Sequence, residues 1–232
     1  MDGTGYGTDG HVWGAEFLAA DACSFRRLGH LREFRLPGGE KAVREPWRIA
    51  VSLLCEAYGD AWDGYARKLA LVPPGIPYDL MEKVLSQGIN SPLTSSLGRL
   101  FDGVASLLGV RRSVSFEGQA AMELEALASG GREIPLDDIA VLGNAPVILD
   151  PGPLVRGIAE GVLAGKELAG LASAFHRALV GAFTRASVAL REEVERMSRH
   201  DLKTPINSVI AVSRMLRENS RLAPDDAQLL AT

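Results

Sequence analysis

The chain has 232 residues, 47% hydrophobic and 23% charged, the balance of an ordinary globular protein with room for one sizeable core and an appendage. A formal net charge of −4 gives no electrostatic reason to expect nucleic acid, whose phosphates demand a basic face. The two cysteines, Cys23 and Cys55, form no CxxC pair, no run approaches the ~18 apolar residues of a membrane span, and no basic n-region with an apolar h-region opens the chain; a reducing cytoplasm is the expected setting.

In chain order, glycine is dense over residues 1–14 and then thins. Val12 to Ala20 and Phe25 to Leu36 read as two strands, the second ended by Pro37-Gly38-Gly39. Glu40 to Tyr58 reads as a helix, with Val43, Trp47, Ala50, Val51 and Leu54 on one apolar face and Pro46 near its first turn. Leu71 to Tyr78 is a proline-rich loop, Tyr78 to Gln87 a short helix closed by Gly88, and Asn90 to Ser96 a polar loop. A helix runs from Ser96 to Leu108, closed by Gly109, and another from Gln119 to Ala128 after the turn Phe116-Glu117-Gly118. Val147 to Leu149 is a short strand ended by Asp150-Pro151. Helices follow over Pro153 to Ala164 and Leu168 to Phe183, then one long helix from about Ala186 to Arg217. No internal repeat is present.

Asp2-Gly3-Thr4-Gly5 has the features of a phosphate-binding loop. Glycines let the backbone approach a phosphate, and the threonine hydroxyl and free N–H groups can donate to it. On spacing alone a glycine-rich N-terminus is also simply a flexible end. By the same residue-level reading Asp102 can be an exposed helix residue, Glu123 and Glu125 solvent-facing, and Arg44, Glu45 and Arg48 a surface ion-pair set of little energetic weight. His11, His30 and His176 are isolated in sequence, and there is no His-x-x-x-His pair, so no metal site is expected.

The run from Asp2 through Gly7, Asp9, Gly10, Trp13 and Gly14 to Glu16 resembles the opening of the transferase module of HypF carbamoyltransferases. So do Leu36-Pro37-Gly38-Gly39 with Arg44-Glu45-Pro46-Trp47-Arg48, Ser95-Ser96-Leu97-Gly98-Arg99-Leu100-Phe101-Asp102, and Phe116-Glu117-Gly118 with Gln119 to Glu125. The resemblance implies an α/β fold, a partial actin/hexokinase-like ATPase module that is mostly helical after residue 40. It implies ATP-dependent transfer of a carbamoyl group from carbamoyl phosphate, through carbamoyl adenylate, to a cysteine of a HypE-like partner in [NiFe] hydrogenase maturation. Asp2, Gly3, Thr4 and Gly5 would form a phosphate loop; Asp102, Gly118 and Glu123 would face ribose or adenine. The family's histidine-rich metal motif precedes such a loop, and a second phosphate loop with a late acidic ligand would follow about residue 183. A truncated module over residues 1–183, incomplete as a catalyst, is therefore expected.

Residues 187–232 resemble a different family. Ser198-Arg199-His200-Asp201-Leu202-Lys203-Thr204-Pro205 is similar to the H-box of sensor histidine kinases. That resemblance makes His200 a phosphoacceptor, with Asp201 holding the other ring nitrogen's proton, Thr204 serving with Asp201 in dephosphorylation of a response regulator, and Pro205 bending the helix. Leu190, Val194, Met197, Leu202, Ile206, Val209, Val212 and Leu216 would be the seam of a truncated two-helix hairpin. It would give a homodimer through residues 187–217, phosphorylated by a kinase domain in trans. The expected chain is thus a fusion of two truncated pieces.

Overall fold

The computed structural model describes residues 5–132, 134–143 and 146–218, with side chains as far as residue 196. Two compact units are present, Met1–Val188 and Ala189–Thr232.

The first unit carries two four-stranded mixed sheets. Strands β1 (Gly5–Tyr6), β2 (Val12–Trp13), β5 (Phe34–Arg35) and β6 (Leu93–Thr94) form one, in the order β1-β2-β6-β5. Strands β3 (Glu16–Ala20), β4 (Phe25–Leu31), β7 (Ala140–Leu142) and β8 (Val147–Asp150) form the other, in the order β3-β4-β8-β7. Each of the two strands expected from the sequence is thus split between sheets, the first at Gly14-Ala15 and the second at Arg32-Glu33. Ala15 and Leu31 are fully buried at these breaks, where the Leu31 N–H donates to the Ala15 carbonyl at 3.1 Å. In the parallel β4–β8 ladder a Cβ on Gly29 would stand 2.7 Å from the Val147 carbonyl oxygen, so a side chain there would push the strands apart.

The expected helix over 40–58 is two, α1 (Glu40–Arg44) and α2 (Trp47–Tyr58). Pro46 has no N–H to continue α1, and Glu45 leaves helical geometry at φ −122°, ψ 72°. Trp47, Ala50, Val51 and Leu54 of α2 are buried as the spacing indicates. Helix α3 (Trp62–Lys68), absent from the sequence reading, follows, then α4 (Tyr78–Ser86), α5 (Leu97–Leu107), α6 (Gln119–Ala128) and α7 (Gly152–Leu163), close to their expected bounds. Helix α2 packs on α5 and α7, and α5 on α6. Gly103 of α5 makes the α2 contact possible, because a Cβ there would come within 2.5 Å of Leu53 Cδ1 and 2.9 Å of Ile49 Cγ2.

Helix α8 spans Leu168–Glu218, where two helices were expected with a break after Phe183. Neither glycine nor proline lies between Phe183 and Ala186, and the Thr184 hydroxyl donates back to the Val180 carbonyl at 2.7 Å, a pairing compatible with a helix. Within the first unit α8 buries Leu171, Ala172, Phe175, Leu179 and Ala182, with Phe175 edge-on to Phe101 at 5.0 Å between centroids. In the second unit the described side chains carry surface ion pairs, Arg191 with Glu195 and Arg196 with Glu193. The backbone is assigned as helical through Pro205. No helix among the described residues is long and apolar enough to cross a membrane.

Candidate functional site

The breaks at which strands change sheets gather polar side chains around Arg27 of β4. A turn over Gly7–Gly10 puts Asp9 beside the ensuing strand: its Oδ1 accepts from the His11 backbone N–H at 3.0 Å and from Trp13 Nε1 at 2.9 Å. Gly7 lies against the Trp13 ring so closely that a Cβ would overlap it. Arg27 spreads its guanidinium across the group. Nη1 donates to Asp9 Oδ2 at 2.9 Å and to Glu33 Oε1 at 3.3 Å; Nη2 donates to Glu16 Oε1 at 3.0 Å and to Ser95 Oγ at 3.3 Å. Its plane rests on the Trp13 ring, 4.3 Å from the centroid. Ser95 Oγ in turn donates to Glu16 in a short hydrogen bond. His11 Nδ1 lies 2.9 Å from Glu33 Oε2. The Asp9 carboxyl is held below its ordinary value: slight burial pushes it up, but the His11 N–H, Trp13 Nε1 and the Arg27 charge together outweigh that.

Ser95 joins this cluster to the start of α5. The Ser95 N–H donates to the Val12 carbonyl at 3.0 Å, so the loop is stitched to β2. Ser96 caps α5, accepting from the Arg99 N–H at 3.3 Å. Behind it Arg99 and Asp102 are nearly withdrawn from water, Arg99 Nη1 lying 3.0 Å from Asp102 Oδ2. Thr94, Ser95, Ser96 and Ser106 are buried with them, giving α5 and its lead-in an inward polar stripe. Asp102 is therefore not the exposed helix residue that its position alone allows.

The other expected site residues fall as follows. Asp2, Gly3 and Thr4 lie outside the described residues. Gly5 opens β1, opposite Trp13 of β2. Gly118 stands at the N-terminus of α6 with φ +78°, a left-handed geometry that favours glycine. Glu123 of α6 accepts two hydrogen bonds from Arg111 and one from Gln119 Nε2 at 3.1 Å; the Arg111 contact, with Gln119, holds its carboxyl below the usual range. The side chains of His200, Asp201 and Thr204 lie outside the described residues. His176, isolated in sequence, stacks edge-on against Phe101 and has Nδ1 2.8 Å from the Ala172 carbonyl oxygen, a structural role. Arg44 pairs with Glu40 at the surface, whereas Arg48, expected in the same surface set, is largely buried, pairs with Glu45 and lies over the Trp47 ring. Sequence reasoning missed Arg27, Glu33 and Arg99 as site members; Arg99 was on view within the Ser95–Asp102 motif, whereas Arg27 and Glu33 stand in no motif.

Comparison with known proteins supplies the relationship. The family described as "Carbamoyltransferase, Kae1-like Domain, second subdomain" matches residues 1–198. The chain belongs to the HypF carbamoyltransferase family. The HypF carbamoyltransferase of Rhodobacter capsulatus is 36% identical over 232 residues, covering 100% of this chain and 28% of that protein. HypF2 of Cupriavidus necator is 47% identical over 137 residues, covering 58% of this chain and 16% of its own length. A crystal structure of full-length HypF in a phosphate- and nucleotide-bound form superposes with a TM-score of 0.73 at 37% identity, covering 83% of this chain and 25% of that one. The HypF-like, mixed α/β fold is thereby established, and the chain spans only 16% to 28% of the length of these relatives.

The comparisons do not show the kinase-like piece, and the family match is to the second subdomain of the Kae1-like domain. The HypF match also runs on past residue 183 to 198, across the stretch where a join to a kinase-like piece was expected, and the R. capsulatus relative aligns over the entire chain.

Proposed function

We propose that the chain forms one wall of a nucleotide site in a HypF-type carbamoyltransferase, holding ATP or carbamoyl adenylate during [NiFe] hydrogenase maturation in the cytoplasm. The observation that carries this reading is the buried polar stripe at the start of α5, stitched to the strands that lead out of the Asp2–Gly5 run. Arg99 is the telling member: its Nη1 is ion-paired with Asp102, while its Nε is buried and makes no hydrogen bond. A buried donor in that condition suits an anionic ligand, and a helix N-terminus beside it adds favourable dipoles. The nucleotide-bound HypF structure that resembles this chain supports the same assignment.

In this reading Asp2, Gly3, Thr4 and Gly5 line the phosphates, while Asp102, Gly118 and Glu123 serve the ribose and adenine. The left-handed turn at Gly118 lets the backbone approach the ligand without a Cβ in the way. Glu123 offers ribose hydroxyls an acceptor already oriented by Arg111. The remaining length of the relatives would furnish the opposite wall, so turnover belongs to the whole protein and not to this chain alone. There, carbamoyl phosphate loses its phosphoryl group as inorganic phosphate to leave carbamate, a carbamate oxygen attacks the α-phosphorus of ATP, the bond to the β-phosphate breaks with release of pyrophosphate, and carbamoyl adenylate results. A cysteine thiolate of a HypE-like partner attacks the carbamoyl carbon, the bond to the adenylate oxygen breaks, and AMP leaves. Cys55 is a poor substitute for that thiol: burial pushes its pKa up, the neighbouring Glu56 and Asp60 charges add to the rise, and it is half-buried.

The test is calorimetric titration of the full chain with ATP. Saturable binding that falls at least tenfold in Asp102→Ala and in Arg99→Ala, with circular dichroism unchanged, is expected. No binding at millimolar ATP, or equal binding by both variants, overturns the assignment.

A further inference from the structure

Asp9, His11 and Glu33 are brought together by the turn before β2 and by the break between β4 and β5. One ligand atom from each, a carboxylate oxygen or the imidazole nitrogen, lies within 4.8 Å of the other two. We infer that these three side chains form a binding site for a divalent transition-metal cation of the zinc class.

Four observations support it. The first is spacing. His11 Nδ1 is 2.9 Å from Glu33 Oε2 and 3.9 Å from Asp9 Oδ2. Nitrogen and oxygen ligands at about 2.1 Å from tetrahedral zinc stand about 3.4 Å apart, between those two distances. The second is direction. Nδ1 is buried and makes no well-formed hydrogen bond although Glu33 Oε2 is at hydrogen-bond distance. The ring nitrogen therefore does not aim at that oxygen, as befits two ligands that converge on a third point. The third is charge. Asp9, Glu16 and Glu33 surround the single guanidinium of Arg27, which leaves a surplus of negative charge that a divalent cation would neutralise.

The fourth is the support behind the ligands. Asp9 Oδ1 is fixed by the His11 N–H and Trp13 Nε1, and Glu33 Oε1 by Arg27, so Glu33 presents Oε2. Asp9 Oδ2 accepts from Arg27 Nη1 at 2.9 Å and lies 3.1 Å from Trp13 Nε1, whose N–H it shares with Oδ1; with the indole N–H settled on Oδ1, its second lone pair serves a metal. The side chains of Asp9 and His11 are about one-third exposed, at 35% and 34%, which gives an ion a way in and leaves room for water in a fourth position.

The inference is independent of nucleotide binding and is tested without nucleotide. The untagged full chain is titrated with Zn²⁺ by calorimetry and with Co²⁺ by visible absorption. Expected are one saturable site, a Co²⁺ spectrum of a four- or five-coordinate nitrogen–oxygen set, and at least a tenfold loss of affinity in His11→Ala and in Glu33→Gln. Asp60→Asn, in a separate acidic patch, should bind as the wild type does. No Zn²⁺ binding, equal binding by both site variants, or an octahedral, aquo-like Co²⁺ spectrum overturns the inference. The spectrum is read on the unaltered chain, so it decides even where a variant does not fold.

Discussion

Arg27→Met is the sharpest single perturbation of the region. The methionine keeps an apolar stem against Trp13 but removes the charge shared by Asp9, Glu16 and Glu33. The three carboxylates do not weigh equally. Asp9 is 35% exposed and water screens it, Glu33 is 19% exposed, and Glu16 is only 8% exposed. Most of the cost is therefore that of leaving Glu16 charged in a low-dielectric pocket with the Ser95 hydroxyl as its remaining donor among the described residues. Losing one partner of a buried pair costs about 3–5 kcal/mol. Because Arg27 itself retains 16% exposure, we expect somewhat less than that range, about 2–4 kcal/mol by urea denaturation. Arg27→Lys should cost less, about 1–2 kcal/mol, since the charge stays but the planar fork that reaches four partners is lost. The decisive comparison is the double variant Arg27→Met with Glu16→Gln. If an uncompensated carboxylate causes the loss, neutralising it recovers at least about half of it, a coupling of order 1 kcal/mol or more. A single-variant cost below about 0.5 kcal/mol, or a double variant no more stable than Arg27→Met, would refute the reasoning.

Three further outcomes follow from the geometry. Asp9 has a folded-state pKa below its ordinary value of 3.8, so its contribution to stability is present above that pH and is lost as the pH falls through the lower folded value; Asp9→Asn should lower the melting temperature at pH 7, and the difference should shrink as the pH is taken progressively below 3.8. Gly131→Ala should destabilise by at least about 2 kcal/mol, because the new Cβ would stand 2.1 Å from the Ala169 carbonyl oxygen, whereas Gly130→Ala, with nothing within 4 Å, should be close to neutral in the same melting assay. Ser96→Ala removes the cap of α5 and should cost about 1 kcal/mol in denaturant titration, a larger loss being expected in nucleotide affinity than in stability if α5 faces the ligand.

Helices were easier to read in this sequence than strands, and the reason is local against non-local information. The bounds of α4, α5 and α6 follow from signals a few residues apart: Ser96 before α5, Gly88 and Gly109 after α4 and α5, and apolar spacing between. The strand breaks do not. Residues 12–20 are apolar but for Gly14 and Glu16 and carry no turn signal strong enough to divide them, and only the pairing of Val12 with Thr94, some eighty positions away, against that of Glu16 with His30 shows that the stretch serves two sheets. Strand β6 is two residues long and was hidden in a polar loop for the same reason. The candidate site residues divide along the same line. Asp102, Gly118 and Glu123 could be proposed because they stand in contiguous motifs. Arg27 and Glu33 could not, since an arginine in a strand and a glutamate at its end carry no local signature; their meaning arises only when the chain turns from one sheet to the other and brings them to Asp9 and His11. An isolated histidine in sequence is thus weak evidence against a ligand set when the strands beside it change sheets. At such a corner the neighbours that matter are drawn from the partner strand, and in this fold that strand and its end deliver one carboxylate, Glu33, and one guanidinium, Arg27, to an imidazole that already has Asp9 two positions away.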